Sequence, residues 1–95
     1  MIYVLTERAK QDLESITDFS LKHFGRLQTQ AYLLQLESTL KSLATMPSAG
    51  RLRSELAPSI RSQPCSRHNI YYLAQDNGIK VIRILHQSME PSGRL

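Results

Sequence analysis

The feature that most constrains this chain is Asn77-Gly78, set between two β-rich runs at 68–74 and 79–86. Asn-Gly between apolar runs is a strong hairpin signal, because both residues tolerate the positive φ that a type I′ turn demands. A third run, 60–64, precedes the hairpin and is expected to add a strand. The second hairpin strand is apolar on both sides. Simple alternation puts Ile79, Val81 and Leu85 on one face and Ile82 and Ile84 on the other. A strand apolar on both sides needs cover on both sides. The first half of the chain can cover one face. The face with Arg83 is expected to meet a partner.

Upstream, residues 2–5 read as a short strand and Thr6 as the N-cap of a helix with Glu7 in its first turn. Ala9, Leu13, Ile16, Ser20 and Phe24 recur at helical spacing, with Phe19 beside them, which predicts an amphipathic helix over 7–24. Gly25 is a natural residue to end it. A second helix is expected over 27–46. Leu33, Leu36, Leu40 and Leu43 form one seam; Leu27, Ala31 and Leu34 form a second stripe about a quarter-turn away. One stripe can pack on the first helix and the other on the sheet. Pro47 closes the helix, residues 47–59 read as loop, and 87–95 as a polar tail that adds little to the core. The order is β-α-α-β-β-β. This is an α+β fold in one domain over 1–95: a helical hairpin packed on a small, largely antiparallel sheet.

With 41% hydrophobic and 21% charged residues, the chain is globular rather than disordered. A single cysteine, Cys65, leaves no internal disulfide and fits a reducing compartment. The apolar start at 1–5 is too short for a signal peptide or a membrane span, so the expected location is cytoplasmic, with no membrane partner. The net charge of +4 lies wholly in the second half. From Pro47 onward seven Lys/Arg face three Asp/Glu, while the first part is balanced at five each. That bias favours an acidic partner.

Ribonuclease chemistry needs a base, an acid and cations for the developing phosphorane charge. Arg61, Arg83 and His86 are candidates of the right types, with His68 and Glu55 as further groups. Cys65-Ser66-Arg67-His68 has metal-ligand spacing but lacks companion ligands, so no metal and no cofactor are expected. No phosphate loop or Ser-His-Asp pattern is present. No helix-turn-helix or zinc-finger pattern is present either, so sequence-specific nucleic-acid binding is not expected.

Particular residues, taken with this order of elements, resemble the ParE branch of the RelE/ParE toxin superfamily. They are Leu5-Thr6 with Ala9, Asp12-Leu13 and Ile16, Phe24-Gly25, Tyr32-Leu33, Leu43-Ala44 with Pro47, Gly50-Arg51, Glu55-Leu56 with Pro58 and Arg61, and Val81-Ile82-Arg83-Ile84-Leu85-His86 with Met89-Glu90. Ser59 stands where the family usually has glycine, and Glu90 where it usually has Asp. The resemblance implies the toxin of a bacterial type II toxin–antitoxin module, neutralised by a ParD-type antitoxin and directed at DNA gyrase. RelE-like relatives instead cleave mRNA on the ribosome, usually with an aromatic or basic cluster after the last strand. Here Gln87-Ser88-Met89 follows His86. The expectation is therefore action by binding, with no catalytic residue. A ribosome-dependent endoribonuclease and a non-toxic binding module of the same fold are the alternatives. Leu27, Ala31, Leu34, Val81, Arg83 and Leu85 are the candidate antitoxin-binding residues, an internal salt bridge of Arg83 with Glu55 or Glu90 being the competing reading. His86, Met89, Glu90 and Arg94 are the candidate target-binding residues.

Overall fold

The computed structural model describes residues 1–95. Strands β1 (Ile2–Leu5), β2 (Arg51–Leu52), β3 (Ile60–Cys65), β4 (His68–Gln75) and β5 (Gly78–His86) form one sheet, and a helical run α1 (Glu7–Thr45) lies on it. The sheet order is β1-β5-β4-β3-β2, with β1 parallel to β5 and every other pair antiparallel. Thr6 joins the two layers. Its side-chain oxygen caps the helix by accepting from Ala9 N–H at 3.1 Å and donates to the Ile82 carbonyl at 2.9 Å.

Gly25 breaks α1 into two arms, 7–24 and 26–45, at φ 82° and ψ 179°, a conformation essentially reserved for glycine. The arms fold back on one another. Thr29 Oγ1 lies 2.8 Å from Ser20 Oγ in a buried contact and donates to the Gly25 carbonyl at 2.7 Å. An unbroken helix of 39 residues would run about 58 Å; the longest dimension of the molecule is 37 Å. The expected helical hairpin is present.

The β4–β5 hairpin differs from expectation by one residue. Gln75 pairs with Gly78, so the loop is Asp76-Asn77, and neither has a positive φ. The turn is thus not type I′. Gly78 takes φ 142° inside the strand, where an added Cβ would sit 1.7 Å from the Ile2 carbonyl oxygen. The glycine admits β1 against β5 rather than forming the turn.

A bulge opposite Tyr71 and Tyr72 corrects the expected faces of β5. Tyr71 pairs with Arg83 and Tyr72 with Val81, so Ile82 is the extra residue. Ile79, Val81 and Ile84 consequently all join the core beneath the helices. Leu85 instead joins Ile60 and Tyr71 on the opposite face, with Ile82 packed against them. That second face is covered by the chain itself, through Leu56, Ala57 and Leu95, with Pro91 also buried. The segment 87–95 is therefore part of the fold, not a spare tail.

The stretch read as loop, 47–59, contains β2. Tyr72 holds its start in place, donating to the Pro47 carbonyl at 2.7 Å and accepting from Gly50 N–H at 2.9 Å. On the second arm, Leu36, Leu40 and Leu43 are buried in the main core with Leu33 packed beside them. The other stripe packs on nothing: Ala31 is exposed, and Leu27 and Leu34 are 82% and 66% exposed. No helix is long and apolar enough to cross a membrane.

Candidate functional site

The first arm of α1 ends level with the tight β3–β4 turn at Ser66-Arg67, and a groove of about 440 Å³ opens there between helix, strand ends and the C-terminal segment. Its apolar wall is Phe19 and Phe24. Periodicity placed Phe24 on the buried face, but the sheet does not extend beneath this end of the helix. Phe19 is left 58% exposed and Phe24 38%. Phe19 stacks on His23 with ring centroids 4.2 Å apart. The Arg67 guanidinium lies over the Phe24 ring at 4.6 Å, an attractive cation–π arrangement.

The floor carries two histidines paired across the strands, His68 on β4 and His86 on β5, with ring centroids 5.4 Å apart. The Tyr32 hydroxyl lies 3.1 Å from the Cys65 carbonyl and 2.5 Å from His68 Nδ1, and bridges the two. His86 Nδ1 accepts from Ser88 N–H at 3.1 Å. The Nε2 atoms of both rings have no partner within the chain, so each can accept or donate according to its tautomer. Burial, reinforced by the nearby His86 and Arg67, depresses His68 to about 4, so it is neutral at pH 7. Burial likewise raises the Tyr32 hydroxyl above its ordinary value.

Arg83, Arg94 and Asp12 complete the groove. Asp12 takes both Arg83 Nε and Nη2, at 2.8 and 2.9 Å, and also the Ile84 N–H at 2.9 Å. The carboxylate thus continues the β5 edge after β1 has ended. The Asp12 hydrogen bond raises the Arg83 pKa. Arg83 Nη1 donates to the Arg94 carbonyl at 2.6 Å, and Arg94 Nε to the Glu90 carbonyl at 2.8 Å. Asp12 is the one carboxylate in the lining, and both its oxygens are engaged by Arg83.

The structure gathers some candidates and separates others. His86, Met89 and Arg94 line the groove; Glu90 stays outside the lining and accepts from Ser92 N–H at its rim. Of the ribonuclease set, Arg83 and His86 line it but Arg61 does not. Arg61 donates to the Gly50 and Ser48 carbonyls at 2.8 and 3.3 Å and braces the loop before β2. Of the antitoxin candidates, Val81 and Leu85 are fully inside the chain's own cores. Arg83 has its internal salt bridge, but with Asp12 rather than Glu55 or Glu90. Leu27, Ala31 and Leu34 remain available. Sequence reasoning missed Phe19, Phe24 and Arg67 as site residues; Arg67 reaches Phe24 only because the fold brings the β3–β4 turn against the end of the first arm.

Residues 3–91 match the family model for the ParE toxin of type II toxin–antitoxin systems, parDE. The chain belongs to the ParE toxin family. It is 33% identical over 89 residues to Toxin ParE1 of Mycobacterium tuberculosis, covering 93% of this chain and 91% of that protein. It is 31% identical to Toxin ParE of Escherichia coli, with 98% and 91% covered. It is also 31% identical to Toxin ParE1 of Caulobacter vibrioides, with 98% and 96% covered. Among solved structures, a chain described as from the chromosomal ParDE TA system of P. aeruginosa superposes with a TM-score of 0.75 at 20% identity, over 90% of this chain and 95% of that one. At that identity the likeness speaks for the fold. This ParE-family chain thus carries the family's architecture together with its own aromatic and basic groove.

Proposed function

We propose that this chain is a cytoplasmic toxin that poisons DNA gyrase by binding, holding the enzyme's DNA-cleaved state, and that a ParD-type antitoxin neutralises it. The observation that carries action by binding is the scatter of the ribonuclease candidates. Arg61 is committed to two loop carbonyls, and Arg83 to Asp12 and the Arg94 carbonyl. Cations already saturated by fixed partners are poorly placed to meet charge developing on a phosphorane. Gyrase as target is what the resemblance to ParE-like toxins implies, and the groove with His86, Met89 and Arg94 is the surface assigned to it. The Leu27, Ala31 and Leu34 stripe is assigned to the antitoxin, as the apolar anchor of an amphipathic segment.

Purified protein is expected to inhibit supercoiling by gyrase and to accumulate cleaved plasmid. Rapid mRNA cleavage in a ribosomal extract with gyrase untouched would move the assignment to an endoribonuclease. Harmless high-level expression without the neighbouring antitoxin would move it to a binding module.

A further inference from the structure

We infer that the groove between Phe19, Phe24 and Arg67 and the His68–His86 pair receives an unstacked nucleotide of a single-stranded nucleic acid. This rests on the reading of the groove as the target-contacting site and names the chemical class it takes. Three observations on independent residues converge.

First, the groove offers planar faces. The Arg67 guanidinium is stacked over Phe24 at 4.6 Å, and the half-exposed Phe19 ring carries His23 at 4.2 Å. Aromatic rings and guanidinium planes are the platforms on which unpaired bases stack, with little regard to sequence. Second, the lining of the groove carries more cations than carboxylates. Arg67, Arg83 and Arg94 line it, and the single carboxylate, Asp12, is consumed by Arg83. The Arg94 guanidinium has only its Nε engaged, with the Glu90 carbonyl, so its terminal nitrogens are free for a phosphate. Third, the floor presents two imidazole rings edge to face, His68 and His86, 5.4 Å apart, whose Nε2 atoms have no partner within the chain and can each donate or accept. Groups of that kind can meet the alternating donors and acceptors along a base edge. The volume of about 440 Å³ falls in the range of small-ligand sites. An acidic peptide would satisfy the charge but would leave the stacked planes and the paired ring nitrogens without a function.

The test is fluorescence anisotropy of the full chain at low salt with a labelled single strand of about six nucleotides, a length within one stacking groove. DNA and RNA versions of one sequence tell the two sources apart, and saturable binding of either supports the proposal. Phe24→Ala is expected to weaken binding about tenfold, the size of one lost stacking contact. Arg67→Lys keeps the charge, removes the plane and is expected to weaken binding several-fold at an unchanged thermal midpoint, so the test survives if Phe24→Ala fails to fold. Leu52→Ala, exposed on β2 and outside the groove, is expected to bind normally. Equal affinity for the blunt duplex, equal displacement by polyglutamate, no saturable binding of either strand, or unchanged affinity in Arg67→Lys would each overturn it. The measurement contains no gyrase, so the two readings fail separately. A chain that binds the strand but spares gyrase keeps this inference and loses the other, and gyrase poisoning without strand binding does the reverse.

Discussion

Arg83 and Asp12, 71 residues apart in sequence, form a two-pronged ion pair in which each side chain is 13% exposed. Asp12 also accepts a backbone N–H of β5, so the pair fastens the first helical arm to the central strand. Removing one partner leaves the other charge poorly solvated and unpaired, which costs about 3–5 kcal/mol. Asp12→Ala and Arg83→Ala should each destabilise by about that much in urea unfolding. The double variant should lose about 1–3 kcal/mol less than the sum. Strict additivity would mean that the pair is not the unit described.

Backbone conformation separates two positions that look alike in composition. Gly25 has φ 82° with open space where a Cβ would go, so Gly25→Ala should cost the conformational strain alone, on the order of 1–3 kcal/mol. Ser59 holds φ 66° with a side chain. Ser59→Gly should relieve the left-handed strain against glycine's greater unfolded-state entropy, a net gain of about 0.5–1 kcal/mol. Equilibrium unfolding midpoints with unchanged slopes check both signs.

Much of this fold is legible in the chain and some is not, for physical reasons. Gly25 located the break between helices through its local backbone preference, whereas Asn77-Gly78 marked the hairpin to within one residue although Gly78 serves the approach of β1 and not the turn. The faces of β5 were misread because a bulge at Ile82 changes parity, and strict alternation contains no trace of an inserted residue. The Arg83 partner was misassigned because Asp12 lies far off in sequence and meets it only through tertiary topology. The Leu27 stripe was visible as a stripe, but periodicity says which residues share a face and not whether the face is covered. The groove is less legible still, since Phe19 and Phe24 follow a core pattern until the sheet beneath them stops.

His68 makes stability depend on pH. Its folded pKa is lowered from 6.5 to about 4, chiefly by burial. Between those values the unfolded chain binds the proton more readily, so stability falls as pH drops below 6.5 and levels off below about 4. Allowing for its partial exposure, the loss should be of the order of 2 kcal/mol. His68→Gln should remove this component, seen as a shallower fall in urea stability between pH 7 and about 4.5. Parallel curves for the two proteins would remove His68 as the cause.

Truncation after Gln87 should damage the fold, contrary to the polar composition of the segment it removes. Pro91 is buried, Leu95 packs on the cluster of Ile60, Tyr71 and Leu85, and the Arg94 carbonyl accepts from Arg83. Uncovering one buried and one part-buried apolar side chain should cost about 2–4 kcal/mol. Circular dichroism melts of the shortened and full chains decide this, and equal midpoints would restore the reading of a dispensable tail.

The exposed stripe on the second helical arm gives the last prediction. Leu27 and Leu34 are 82% and 66% exposed, with exposed Ala31 between them, while the neighbouring seam of Leu36, Leu40 and Leu43 is already spent on the core. Residues at this spacing form one continuous apolar line along a helix. A partner segment laid on it would bury that line at about 25 cal/mol per Å² without disturbing the fold. Charge placed there should therefore act on binding alone. Leu27→Glu and Leu34→Glu should leave urea stability within about 0.5 kcal/mol. Each should weaken antitoxin binding by about tenfold or more, as loss of a central apolar anchor does. Calorimetric titration of the neighbouring antitoxin into each variant is the measurement. Full affinity in the double variant would move the antitoxin off the second arm and leave the groove as the remaining apolar surface for it to occupy.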